Sequence, residues 1–292
     1  MNIRLPRYAG SFYESSATSC RHHVERLLEA ADLPKDLPRA LYGGIVPHAG
    51  WAFSGEAAAH TMAALAKAGP LETVVLFGTD HRGAASGGEV FDSGLWRTPL
   101  GEVPVDEGVA AAILSAGGGG LLRANPRAHE GEHSLEVQLP FLQVLSPSVK
   151  VVPITVAPHP AAAEIGRSVG EVLARRFPGA RVVGSTDLTH HGGHFDAPGG
   201  HGPAGQKWTR ANDRRMIDLI VAMKAQAIVA EAAENQNACG AGAIAATIAA
   251  CQAMGAVRGL LLRYTNSYEV VHARYPDDPD DTTVGYASIV FA

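Results

Sequence analysis

LYGGIVPHAGWAFSGEAAAHTMAALAKAGPLETVVLFGTDHRG, residues 41–83, contains two short apolar runs, Leu41–Pro47 and Thr73–Gly78, on either side of an alanine-rich stretch from Gly55 to about Lys67. Neither run alternates with polar residues. Strands that are apolar throughout are buried on both faces, and parallel neighbours need a crossover element between them. The stretch therefore reads as strand, helix, strand. The pattern returns in VKVVPITV (Val149–Val156), a helical stretch from Ala161 to Phe177, and ARVVGST (Ala180–Thr186) leading into Asp187. An α/β fold follows, with a sheet that grows by repeated crossovers.

Outward from this centre, Ser19 or a neighbour caps a helix running to about Ala31. A long amphipathic helix is expected over about Lys207–Met223, with Trp208, Met216, Leu219 and Ile220 toward one side. A second follows near Ile228–Ala233. GLLLRYTNSYEVV and VGYASIVFA read as two closing strands, and His191–Gly205 and Asp277–Asp281 as loops. No linker or composition break divides residues 1–292, so a single domain is expected.

Charged residues make up 18% of the chain and the net charge is −5 without any long basic run, which excludes the positive stripe that nucleic acid requires. Three cysteines, Cys20, Cys239 and Cys251, are an odd number and do not make a disulfide framework. Free thiols and an N-terminal stretch lacking an apolar core point to the cytoplasm. The most apolar segment, Ala238–Leu262, is interrupted by Gln252 and Arg258. It reads as a buried helix followed by a strand, and no membrane contact is expected.

In open parallel sheets ligands bind beyond the carboxyl ends of the strands. His48 ends the first run, His81 the second, and Asp187 with His190 a later one, so three strand ends on one rim carry imidazoles. Cys239 in NQNACGAGAI adds a thiol at the start of a helix that Asn235 or Asn237 can cap, where the dipole favours a thiolate. Cys251 reads as a small buried thiol and Cys20 as an ordinary surface or half-buried one. Glu132-His133-Ser134 precede an amphipathic helix, Leu135–Leu145, whose Leu, Val and Phe spacing is core-like. Ser134 reads as its N-cap. Tyr13 and Trp51 read as pocket walls or plain core. The GGGG run at Gly117–Gly120 reads as a flexible connection, the DDPDD run as a solvated turn in preference to a weak calcium site, and His194 and His201 as surface residues in preference to a lid over the pocket.

AGSFYE, PHAGWAFSG, GTDHRG, EHSLEVQLPFL, STDLTHHG and NACGAGAI, in this order over nearly the whole chain, resemble the successive motifs of the Memo family, system protein B of the AmmeMemoRadiSam group. The resemblance implies a three-layer α/β/α fold with a central, mostly parallel sheet, like that of class III extradiol dioxygenases. It implies one metal ion, Fe(II) first and copper or zinc as alternatives, held by His48, His81 and Cys239, with Glu132 or His190 as rivals to Cys239. Asp187, His190 and His133 would line the pocket as catalytic residues, His190 as acid/base and Asp187 orienting it. An aromatic residue is expected directly after the pocket histidine, where this chain has His191. The activity implied is metal-dependent redox chemistry on dioxygen, superoxide or a small substrate. A metal-binding scaffold and a zinc hydrolase are the alternatives. Association with AMMECR-type and radical-SAM proteins is implied as well.

Overall fold

The computed structural model describes residues 2–292. In chain order it begins with β1 (Ile3–Arg4) and α1 (Ala17–Glu29), whose cap is Ser16, three residues ahead of Ser19; the Ser16 side chain accepts from the Ser19 amide. The strand–helix–strand unit is β2 (Gly43–Val46), α2 (Trp51–Ala68) and β3 (Thr73–Thr79). The short elements β4 (Gly88–Val90), β5 (Leu95–Thr98), β6 (Gly101–Pro104), α3 (Glu107–Ala116) and β7 (Leu122–Ala124) follow. A 3-10 turn at Glu136–Gln138 then leads into α4 (Leu139–Leu145). Next come β8 (Lys150–Val156), α5 (Ala162–Arg176), β9 (Arg181–Ser185), β10 (His190–His191), α6 (Gly202–Val221) and α7 (Ala225–Asn235). The chain finishes with α8 (Ala241–Met254), β11 (Gly259–Asn266), α9 (Ser267–Arg274) and β12 (Thr283–Phe291). SYEVV is thus helix and not strand, because the Asn266 side chain accepts from the Glu269 amide at 2.8 Å and caps a new turn.

Four parallel strands in the order β2-β9-β3-β8 make the centre of the main sheet. Antiparallel strands flank them. β12 pairs with β2, and β4 with β8. β10 and β11 pair with β12, while β1, β5 and β6 form a separate small sheet. β3 is buried at every position, as its continuous apolar sequence requires.

Adjacent glycines in β2 show the layering, since successive side-chain directions in a strand alternate. A Cβ on Gly43 would meet Cys251 of α8, and one on Gly44 would meet Thr61 of α2. Helices therefore cover both faces. α5 lies directly on α8, because Gly166 and Gly170 bring its backbone against Ala246 and Ala250 with no room for a side chain. The buried apolar residues form one cluster, and none of the described helices is long and apolar enough to cross a membrane.

The carboxyl ends of β2, β9 and β3 lie side by side. His48, Asp187 and His81 follow directly from them, and α8 delivers Cys239 to the same edge.

Candidate metal centre

Asp187 is the knot of the site. It is buried, and its Oδ1 accepts from the His48 amide at 2.7 Å, which fixes the turn after β2. Its own amide donates to Cys239 Sγ at 3.3 Å, and its carbonyl accepts from the Cys239 amide at 3.2 Å. Burial pushes its carboxyl up to about 7, against the pull of the His48 and Ala49 amides. No hydrogen bond joins Asp187 to His190 among the described residues. The carboxylate therefore orients the His48 turn, and not His190 as expected.

Cys239 precedes α8, whose cap is Gly240 and not Asn235 or Asn237. The Gly240 amide donates to Thr186 Oγ1 at 3.0 Å. A Cβ there would stand 2.6 Å from Thr79 Oγ1 and 2.7 Å from the Ser185 carbonyl, so only glycine lets the helix start this close to β3 and β9. The two asparagine amides instead reach Glu231, tying down the end of α7.

His48, His81 and Cys239 meet here, their ligand atoms all within 4.8 Å of one another. Cys239 Sγ lies 3.2 Å from His48 Nε2, and the two imidazoles stand nearly perpendicular with centroids 5.0 Å apart. On the other side of each ring, Nδ1 is already engaged: His48 by Ser185 Oγ at 3.0 Å, His81 by Glu132 Oε1 at 2.9 Å. Metal-binding histidines characteristically hold such a partner on the nitrogen facing away from the ion. The donor set fits a metal ion.

The charges follow from these contacts. Burial, then the neighbouring His133 and His81, push His48 well below the usual imidazole range. Burial also opposes the charged form of His81, but hydrogen bonds and charge from Cys239 and Glu132 outweigh it and raise the imidazole to about 10. Burial works against ionised Glu132 too, yet its bond to His81 holds the carboxyl down to about 2. Both Glu132 oxygens are occupied, Oε1 by His81 Nδ1 and the Ser134 amide, Oε2 by the His81 amide. Glu132, His81 and His133 also lie close enough to form a second grouping. There His81 Nδ1 is already spent on a hydrogen bond to Glu132.

His133 stacks on His81 at 4.5 Å and is walled by Tyr8 and Phe12. The EHS triplet therefore faces the site. Ser134 caps no helix; its Oγ accepts from the Thr79 amide at 3.1 Å.

His190 stands outside the three-residue cluster and lines a cavity of about 1240 Å³ together with His81, Cys239, Phe195 and Trp208. Phe195 lies against its ring at 5.0 Å, and burial lowers its pKa. The aromatic wall expected at position 191 comes from elsewhere. His191 is buried against Trp208 at 5.3 Å, and it is Trp208, from α6, that faces the cavity.

Tyr13 and Trp51 prove to be core: their polar atoms donate to Glu136 and to the Val137 carbonyl, and they line a separate hollow. Cys20 is wholly buried, not half-buried, and burial pushes its thiol up to about 12. His194 reaches the cavity rim, while exposed His201 bonds Asp281 at 2.8 Å and ties the acidic turn to the loop.

Sequence reasoning missed Ser185, Tyr8, Phe12 and Phe195. Nothing in the spacing marks the first three, and Trp208 looked like an ordinary helix-face residue.

A family model described as Memo-like protein matches residues 4–290. A MEMO1 family protein from Methanopyrus kandleri is 38% identical, covering 99% of this chain and 98% of that protein. Another, from Methanothermobacter thermautotrophicus, is 35% identical over 98% of this chain and 99% of its own length. A solved structure of an uncharacterised Escherichia coli K12 protein covers 80% of this chain and 92% of its own at 13% identity. Its TM-score of 0.48 is too low to add to what the sequence relatives establish. With relatives this similar from end to end, and with the motifs at positions 47–55, 78–83 and 237–244 converging on one rim, the chain belongs to the Memo family.

Proposed function

We infer that the chain is a metal-dependent redox protein that holds one ion, iron first and copper as the alternative, through His48, His81 and Cys239. The observation that carries this reading is the meeting of two imidazoles and a thiol whose Nδ1 atoms are both engaged on the far side. His48, His81 and Cys239 would hold the ion, and iron or copper there would supply one-electron and dioxygen chemistry. The chain's own groups do the rest. His190, whose pKa burial lowers, would take a proton from a substrate in the cavity. His133 packs flat on His81 and limits its rotation, and Asp187 holds the backbones of two ligands at once. The single buried cluster supports treating residues 1–292 as one domain.

Anaerobic purification followed by metal analysis and spectroscopy tests the reading. About one redox-active iron or copper per chain supports it. Stoichiometric zinc would favour hydrolysis through a metal-bound water, a second reading that the soft thiol favours. No metal at all would leave a binding scaffold.

Cys239→Ser exchanges a soft thiolate for a hard hydroxyl. It is expected to weaken copper and zinc binding more than Fe(II) binding, as read by competition with a chelator. Equal losses for all three metals would mean that the sulfur is not a ligand.

Metal uptake must also expel the proton that His81 keeps up to about pH 10 in the metal-free chain. Co(II) affinity is therefore expected to climb between pH ~7 and ~9. Flat affinity over that range would show that His81 is already neutral. The same shift sets a stability trend. The folded pKa lies above the ordinary 6.5, so the stabilisation is complete below 6.5 and is lost as the pH rises through about 10.

A further inference from the structure

The segment Glu132–Gln138, the EHS motif and the turn after it, touches both cluster histidines from behind. Glu132 does so directly. For His48 the contact runs through Ser185, the last residue of β9, which is 1% exposed. Ser185 Oγ has three neighbours: the Ser134 carbonyl at 2.7 Å, His48 Nδ1 at 3.0 Å and Gln138 Nε2 at 3.3 Å.

A hydroxyl offers one proton and two lone pairs, so the three contacts can be assigned. The Ser134 carbonyl only accepts, which places the Ser185 proton there. Gln138 Nε2 is identified as the amide nitrogen by its 2.8 Å contact with the Pro47 carbonyl, another pure acceptor, so it donates to Ser185. One lone pair remains, and only an N–H on His48 Nδ1 satisfies it. A neutral imidazole has a single N–H, so Nε2 is left with its lone pair facing Cys239 Sγ at 3.2 Å.

We propose that Ser185 is a positioning residue: held by the Ser134 carbonyl and the Gln138 amide, its hydroxyl locks His48 in the Nδ1–H form and presents Nε2 to the cluster. Glu132 likewise holds a proton on His81 Nδ1, because an ionised carboxylate can only accept from it. One seven-residue stretch, 132–138, thus keeps the Nδ1 proton of two histidines that follow different strands. The consequence for metal affinity rests on the metal-centre reading; the tautomer itself does not.

The test uses the metal-free full chain with ¹⁵N-labelled histidine and long-range ¹H–¹⁵N correlation spectra at mildly alkaline pH. In the unaltered chain His48 is expected to show a pyrrole-type Nδ1 and a pyridine-type Nε2. Ser185→Ala is expected to mix the two forms and to weaken Co(II) binding roughly 10–100-fold, with circular dichroism confirming the fold. A His48 carrying its proton on Nε2 in the unaltered chain overturns the proposal, and that spectrum decides even if the variant fails to fold. A folded Ser185→Ala chain with an unchanged tautomer and unchanged Co(II) affinity overturns it as well. The expected tautomer in a chain that takes up no Co(II) would sink the metal reading and leave the role of Ser185 standing.

Discussion

Replacing His190 with alanine is expected to leave metal content near that of the unaltered chain and to slow any oxygen-dependent turnover by roughly 10²–10⁴-fold, the usual worth of a positioned proton-transfer group. The geometry separates the two effects. His190 lines the same cavity as His81 and Cys239 but lies outside the cluster of candidate ligand atoms, so on the proposed reading its removal takes a base and not a ligand. Metal analysis and oxygen uptake by the metal-loaded chain read the two quantities independently. If His190→Ala strips the metal while Cys239→Ser keeps it, ligand and base have been exchanged. If oxygen uptake is unchanged, proton transfer in this pocket belongs to another group.

The largest stability effect is expected at Glu136, which lies outside the cluster of candidate ligands. This wholly buried carboxylate is paired with buried Arg4 and accepts from the Tyr13 hydroxyl and from the amides of Arg7 and Tyr8. Arg4 in turn donates to the carbonyls of Leu5, His129 and Glu132 and lies over the Trp96 ring. Glu136→Ala would leave a buried guanidinium without its counter-charge, and a hydroxyl and two amides without their acceptor. The expected cost is about 3–5 kcal/mol, read from denaturant midpoints. The double change Arg4→Met with Glu136→Leu should cost less than either half, since it strands no charge. A loss under about 1 kcal/mol for Glu136→Ala would mean that water reaches the pair. Because Arg7 and Tyr8 hang on Glu136, and Tyr8 and Phe12 wall His133, the same change should also loosen that side of the site.

The parallel centre of the sheet was legible because each strand is buried on both faces and so carries an unbroken apolar run. The flanks were not. β4, β5, β6 and β7 are three or four residues long and carry no periodicity, and α9 arises from one asparagine cap within a sequence that is also good strand. The candidate residues were legible from their places at strand ends, but their partners were not. Asp187 turned out to hold backbone amides, because the hydrogen-bond direction of a buried carboxylate depends on which turn lies beside it. The cap of α8 was missed because Gly240 is selected by contact with β3 and β9, which sequence spacing does not show.

β12 occupies the position beside β2, the strand that ends at His48, although its residues are numbered 283–291. During synthesis the chain emerges in order, and long-range pairings wait for their partners. His48 and His81 therefore leave the ribosome well before Cys239, and β2 lacks its antiparallel neighbour until the last of the described strands has been made. A partly made chain displays two imidazoles with neither the thiol nor the sheet edge that seats them. The three candidate ligands therefore come together only after Cys239 and β12 have been made, and removing β12 would disturb the seat of His48.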